Sequence, residues 1–221
     1  MDWQTLRDDY IRKFINDTSA SPRWSDTELE VYINLAVNDF STHIPVVKSS
    51  TYVPSSSTDK TFTLPSDTLE VLYVEHPQGT FLEPSSNHPA ERYGTGGKRY
   101  DLSSDEVGAQ TLTLLGTPRV GDDLIIRYGA YRSAITATSD AVPVPRAATL
   151  AMLYYVAMLC HERVATQDSN LSRWGSKEDK GRTRQDNPLI PEAERLRQMY
   201  LREINKLKDA SRNIYRRGGR S

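Results

Sequence analysis

The stretch Ala147 to Cys160 has almost no polar side chain, and any fold for this chain must house it. At 14 residues it is shorter than the roughly 20 a membrane-spanning helix needs. It is apolar nearly all round, which marks the buried centre of a helical assembly. Pro145 suits the first turn of such a helix, where its missing N–H is no loss. Other segments supply helices to surround it. Trp3, Leu6, Tyr10 and Phe14 fall at helical spacing within 2–17. Ser19 to Arg23 interrupts, and a second helix opens at Trp24. Ser25 and Glu28 form the S-x-x-E capping box, and Trp24 can staple onto Leu29. Leu29, Tyr32, Ile33, Ala36, Val37 and Phe40 then make a wide apolar face, ended by Pro45. A last helix starts near Pro191, with Glu192 and Glu194 favourable at its positive end. Its face is Leu196, Met199, Tyr200, Glu203, Ile204 and Leu207, and it is expected to end near Ala210. None of these helices can bury its face alone, so they are expected to close around the apolar one.

Between the two helical pairs the pattern changes. Residues 61–64, 69–76, 111–116 and 124–131 are short β-branched and aromatic runs, separated by turn-forming PSD, HPQG, YGTGG and VGDD. In 69–76, Leu69, Val71, Tyr73 and Glu75 alternate with Glu70, Leu72, Val74 and His76, as in a partly two-sided strand. Residues 168–188 are polar and read as a loop. The expected fold is α+β, mainly α: a four-helix bundle with a small antiparallel β-region inserted between helices 2 and 3, and an extended basic C-terminal tail. The domains follow as 1–48 (helices 1 and 2), 49–132 (β-insertion), 143–210 (helices 3 and 4) and 211–221 (tail).

Charge sharpens the picture. The 221 residues hold 28 Lys+Arg and 29 Asp+Glu, a net −1. That balance conceals a split, with 1–142 at −8 and 143–221 at +7. The last eleven residues hold Arg212, Arg216, Arg217 and Arg220 and no acid. Such asymmetry suggests a basic tail that meets an acidic partner or nucleic acid. One cysteine, Cys160, excludes an internal disulfide and a CxxC zinc site. The start of the chain lacks the charged-then-apolar pattern of a secretory leader. The chain therefore reads as soluble and made in a reducing compartment, with no membrane partner.

Catalytic patterns are missing. His43, His76, His88 and His161 show no metal-ligand spacing. Cys160 reads as a small buried apolar residue rather than a nucleophile. Tyr93–Lys98 lacks P-loop spacing, and Arg99 stands where Ser or Thr would be needed. Asp122 and Asp123 are a turn pair without further carboxylates nearby. No cofactor, metal or enzymatic activity is expected.

Taken together, W-S-D-T-E-L-E-V-Y-I-N-L-A-V-N-D-F (24–40), T-L-P-S-D (63–67) and V-P-V-P-R before an apolar helix (142–160) resemble tailed-phage head–tail adaptor proteins, also called connector or head-completion proteins. The resemblance covers nearly the whole chain. It implies a structural virion protein at the head–tail interface, assembled in the bacterial host cytoplasm. It further implies a self-assembled ring, a dodecamer, below the portal protein, extending the DNA channel and offering an attachment surface to tail or tail-nozzle proteins. Genomic DNA would pass without sequence-specific binding. Mapped onto this chain, Trp24, Ser25, Asp26 and Glu28 would be the structural helix start. By position, Ser211–Ser221 would be the portal-docking segment, with Arg212, Ile214, Tyr215, Arg216, Arg217 and Arg220 as its contact residues, and Lys206 and Lys208 would extend the cationic strip up the last helix. Two other readings stay open: a nucleic-acid-binding module using the basic tail, and another phage tail or stopper structural protein.

Overall fold

The structure, a computed structural model, describes residues 1–85, 99–105, 108–170 and 189–218, with backbone path alone at 167–170, 189 and 211–218. The chain folds as two compact units, Met1–Ile44 with Ser133–Ser221, and Pro45–Arg132. The YGTGG turn and 171–188 of the loop expected at 168–188 lie outside the described residues, while 168–170 belong to the helix Thr149–Asn170.

In the first unit, the opening helical segment consists of α1 (Trp3–Thr5), a π-helical stretch Leu6–Ile11 and α2 (Arg12–Phe14). Asp2 caps it by accepting from the Thr5 N–H at 2.7 Å. α3 (Asp26–His43) opens on a complete capping box: the Ser25 hydroxyl accepts from the Glu28 N–H, and the Glu28 carboxylate accepts from the Ser25 N–H. Pro145 leads into a 3-10 turn, Arg146–Ala148, that feeds α4 (Thr149–Asn170). α5 (Leu189–Gly218) runs back along α4, so that Leu196 packs near Met158 while Tyr200 meets Tyr155 edge-on at 5.0 Å. The core joins Trp3, Leu6, Ile11, Leu29, Ile33, Phe40, Met152, Val156, Tyr200 and Ile204. Each fully buried large side chain contributes roughly 1.5–3 kcal/mol of transfer free energy.

The second unit is a seven-stranded sheet among the described residues: β1 (Val46–Tyr52), β2 (Thr61–Thr63), β3 (Thr68–Glu75), β4 (Phe81–Pro84), β5 (Arg99–Ser104), β6 (Gln110–Leu114) and β7 (Leu124–Ala130). The order is β1-β7-β3-β4-β5-β6-β2. β4 and β5 pair in parallel and the other neighbours are antiparallel. The sheet curls around its own core of Phe62, Leu64, Val74, Leu82, Tyr100, Leu112, Leu114, Leu124 and Ile126. Gly129 permits the close approach of β1 and β3 there. A Cβ at that position would stand 3.0 Å from the Pro45 Cβ and 3.1 Å from the Glu70 Cγ.

Three expectations are corrected. The chain is not a four-helix bundle carrying a small antiparallel insert: the sheet is large, mixed and curled, with a core of its own. Nor is the helical core purely helical, because Ile135 and Val142 from the segment returning after the sheet are buried in it. The basic end is not extended, since α5 continues as helix through Gly218. The physical reasons are local. β1 and β5 are too polar to read as strands, and pairing supplied by distant partners holds them. Register shifts between Thr68 and Glu70 and between Val71 and Tyr73 interrupt the alternation of β3, so Thr68, Val74 and the following His76 are buried while Glu70 and Leu72, between them at the same spacing of two, are exposed.

Candidate interaction surfaces

The start of α3 is where the first unit ties its helices together. The Arg7 guanidinium takes both Asp8 oxygens, at 2.7 and 3.0 Å, and Asp26 at 2.8 Å. Arg12 reaches Asp17 at 2.9 Å, Asp26 at 2.6 Å and the Trp24 carbonyl at 3.1 Å. Asp17 in turn accepts from the Arg23 and Trp24 N–H groups at 2.7 and 3.2 Å. Asp26 thus bridges two arginines whose stems are buried against the core, in addition to its place in the first helical turn. Trp24 is buried, with two cations near its ring, Arg163 at 5.4 Å and Arg23 at 5.7 Å, and meets Tyr32 edge-on at 6.0 Å. Arg163 of α4 also ion-pairs Glu28. The Ser25 N–H and then Arg163 hold the Glu28 carboxyl below its ordinary value.

Along α5, Lys206 is exposed and pairs with Glu203 at 2.5 Å. Lys208 is half-buried, with its Nζ 3.3 Å from His43 Nδ1 on α3. His43 Nε2 lies 3.6 Å from Asp39, which accepts a hydrogen bond from the Tyr200 hydroxyl. Burial, followed by that bond to Asp39, pushes the Tyr200 phenol far above its usual range. Lys206 and Lys208 therefore sit in different surroundings, one in solvent and the other in a polar chain linking α5 to α3. Arg212, Ile214, Tyr215, Arg216 and Arg217 lie on the helical backbone that prolongs α5, and Arg220 falls outside the described residues.

Chemistry-bearing groups elsewhere are occupied structurally. Among the described residues no group of three or more His, Cys, Asp or Glu could hold a metal ion, and no helix is long and apolar enough to cross a membrane. Cys160 is buried, and desolvation pushes its thiol up to about 12, so it stays protonated rather than serving as a thiolate. His76 is buried, accepts from the Arg119 N–H at 2.9 Å through Nε2, and contacts the Asp123 carbonyl at 3.2 Å through Nδ1.

Sequence reasoning missed several of the ties. Asn34 pairs with Ile135 by two bonds, its Oδ1 accepting from the backbone N–H at 2.8 Å and its Nδ2 donating to the carbonyl at 2.9 Å. No local pattern could announce a partner 101 positions away. For Arg7, by contrast, a signal existed: a cation on the inward side of an amphipathic segment needs an acidic partner.

The helical N-terminal unit, the returning apolar helix and the long basic final helix all fall within one match: the family model described as SU10 adaptor protein covers residues 1–220. No curated protein matches the chain. The span of the family match, nearly the entire sequence, shows that the chain belongs to the SU10 adaptor protein family, a family of phage head–tail adaptors.

Proposed function

We propose that this structural virion protein assembles as a ring, a dodecamer, below the portal. In this reading it extends the DNA channel and presents the surface to which tail or tail-nozzle proteins attach. Assembly takes place in the bacterial host cytoplasm, and genomic DNA passes through without sequence-specific contacts. The portal is met by the end of α5, with Lys206, Lys208, Arg212, Ile214, Tyr215, Arg216, Arg217 and Arg220 as the contributing residues. The observation that carries the docking role is the continuity of α5: the acid-free basic end prolongs a helix anchored in the core at Tyr200 and Ile204. A docking element held on a packed helix loses less freedom on binding than a free tail. Arginine forks suit carboxylate partners.

Deletion of 211–221 tests this. The reading expects a folded subunit that no longer joins DNA-filled heads, which then leak their genome. Normal attachment and infectious particles from the truncated protein overturn it. Binding that collapses with added salt and ignores portal sequence would instead favour contact with DNA.

A further inference from the structure

Among the described residues, two apolar features of the first unit stay exposed. On α3, Val31 and Leu35 stand one turn apart, 52% and 45% exposed, while the opposite side of the helix fills the core. They form a short aliphatic ridge. The second feature lies along the line where the opening helical segment meets α4. Phe14 packs edge-on against Tyr154 at 5.7 Å yet remains 42% exposed. Tyr10, four residues before Phe14, and Leu150, four residues before Tyr154, are each 41% exposed. This is a shallow aromatic seam between two packed helices.

We infer that the Val31–Leu35 ridge of one copy seats in the Tyr10–Phe14–Leu150–Tyr154 seam of the next, forming the lateral contact between neighbouring subunits. The inference rests on the ring reading above and names the surfaces that build it. A closed ring requires a heterologous contact, in which two different patches of one subunit complement each other. The unit carries two such patches, one aliphatic on a single helix, the other mainly aromatic and shared by two. Their rims carry opposite charges, Glu30 beside the ridge and Lys13 beside the seam, while the other acids of α3, Asp26, Glu28 and Asp39, are engaged within the subunit. Lys13 stands beside Phe14, its exposed i,i+4 pair with Asp9 at 2.8 Å being of the weak, exchangeable kind. An i,i+4 row of side chains is also the ridge that ordinary helix packing sets into the grooves of a facing helix.

The test uses cysteine placement. The native thiol, Cys160, is 3% exposed, so introduced cysteines react alone. Phe14→Cys, Leu35→Cys and the double variant are treated with a short bismaleimide, both as purified full chain and in particles from infected cells. The inference expects a covalent ladder from the double variant, a dimer from a mixture of the two singles, and monomer from either single. A dimer from Leu35→Cys alone overturns it, because the contact would then be isologous. No ladder from the double variant in particles where electron microscopy shows the ring overturns this surface and leaves the ring standing. Particles of the unmodified protein that show no ring overturn both. Independently, Val31→Asp with Leu35→Asp should leave the melting temperature of the subunit unchanged and lower its incorporation into particles at least about tenfold, as expected for loss of a buried anchor. Undiminished incorporation overturns the inference.

Discussion

The Tyr52 hydroxyl donates to the Thr63 carbonyl at 2.6 Å, and with this bond the first strand of the sheet order reaches the last. β1 and β2 are the two edges of the seven-stranded sheet, yet the Tyr52 ring lies 5.5 Å from that of Phe62. One residue therefore does by side chain what ladder hydrogen bonds do elsewhere. It draws the edges together, so the inner face becomes a closed apolar core and the unpaired edges are partly covered.

Tyr52→Phe should therefore cost less than Tyr52→Ala. The first loses a single, solvent-accessible hydrogen bond, about 0.5–1 kcal/mol. The second also removes the aromatic contact with Phe62 and the area it covers, and should cost about 3 kcal/mol. Denaturant unfolding of the three proteins checks the order. Equal losses would mean that the hydroxyl alone closes the sheet.

In the first unit, Asp17 and Asp26 both bind Arg12 but should not matter equally. Asp17 is buried and also holds the Arg23 and Trp24 N–H groups, so Asp17→Ala leaves buried donors and a guanidinium short of a partner. The expected cost is about 3 kcal/mol. Asp26 is well exposed, and both its arginines keep other carboxylates, so Asp26→Asn should cost under about 1 kcal/mol. Thermal unfolding of the two variants measures the difference.

Cys160 sets a pH dependence whose sign is fixed by burial. In the unfolded chain its thiol ionises near 9, whereas in the fold desolvation pushes it up to about 12. Above pH 9 the unfolded state binds fewer protons than the folded state, so stability falls as pH rises. The contribution is whole below about pH 9 and is lost progressively toward 12. The Tyr200 phenol, also raised, adds a loss of the same sign once an unfolded tyrosine begins to ionise near 10. Between pH 9 and 10, Cys160→Ala should flatten the decline in the urea midpoint, though a small cavity makes the variant less stable at neutral pH. An unchanged slope would contradict the buried, protonated thiol.

Which parts of this architecture the sequence reveals follows from the range of the forces. The capping box at Ser25 and Glu28 is readable because its partners are three residues apart. The apolar run from Ala147 is readable because burial is its only option. The strands around Thr61, Leu69, Thr111 and Leu124 announce themselves by β-branched residues. β1 and β5 do not, since VVKSSTY and RYDLSS are strands only because β7 and β6 pair with them. The end of α5 misleads for a related reason. Its composition suits a free tail, but a helix already nucleated and packed at Leu196, Tyr200 and Ile204 extends through residues that could not start one. For the interaction surfaces, the residues near Trp24 are legible as a helix start. Their ties to Arg7, Arg12 and Arg163 are long-range and are not.

That last point yields a test separating the charge of the C-terminal segment from its helicity. Ser211→Pro keeps every arginine, Ile214 and Tyr215. It removes the backbone donor that would bond the carbonyl of residue 207 and sets a ring against that carbonyl, at a cost of about 3 kcal/mol within a helix. Among the described residues, the last core contacts of α5 are those of Ile204 and Leu207, so the subunit should keep its melting temperature to within a few degrees. Far-ultraviolet circular dichroism should lose the ellipticity of about two turns, because the residues beyond the break would have to nucleate a helix unaided. If the segment docks as a prolongation of α5, head joining by Ser211→Pro should fall nearly as far as with the 211–221 deletion, despite unchanged charge. If joining depends only on the density of arginines, the variant should join heads normally, and replacing Arg212, Arg216 and Arg217 together by Gln in an intact helix should abolish it. Measuring joining for both proteins on the same preparation of DNA-filled heads decides between a shaped helical plug and a charged tether.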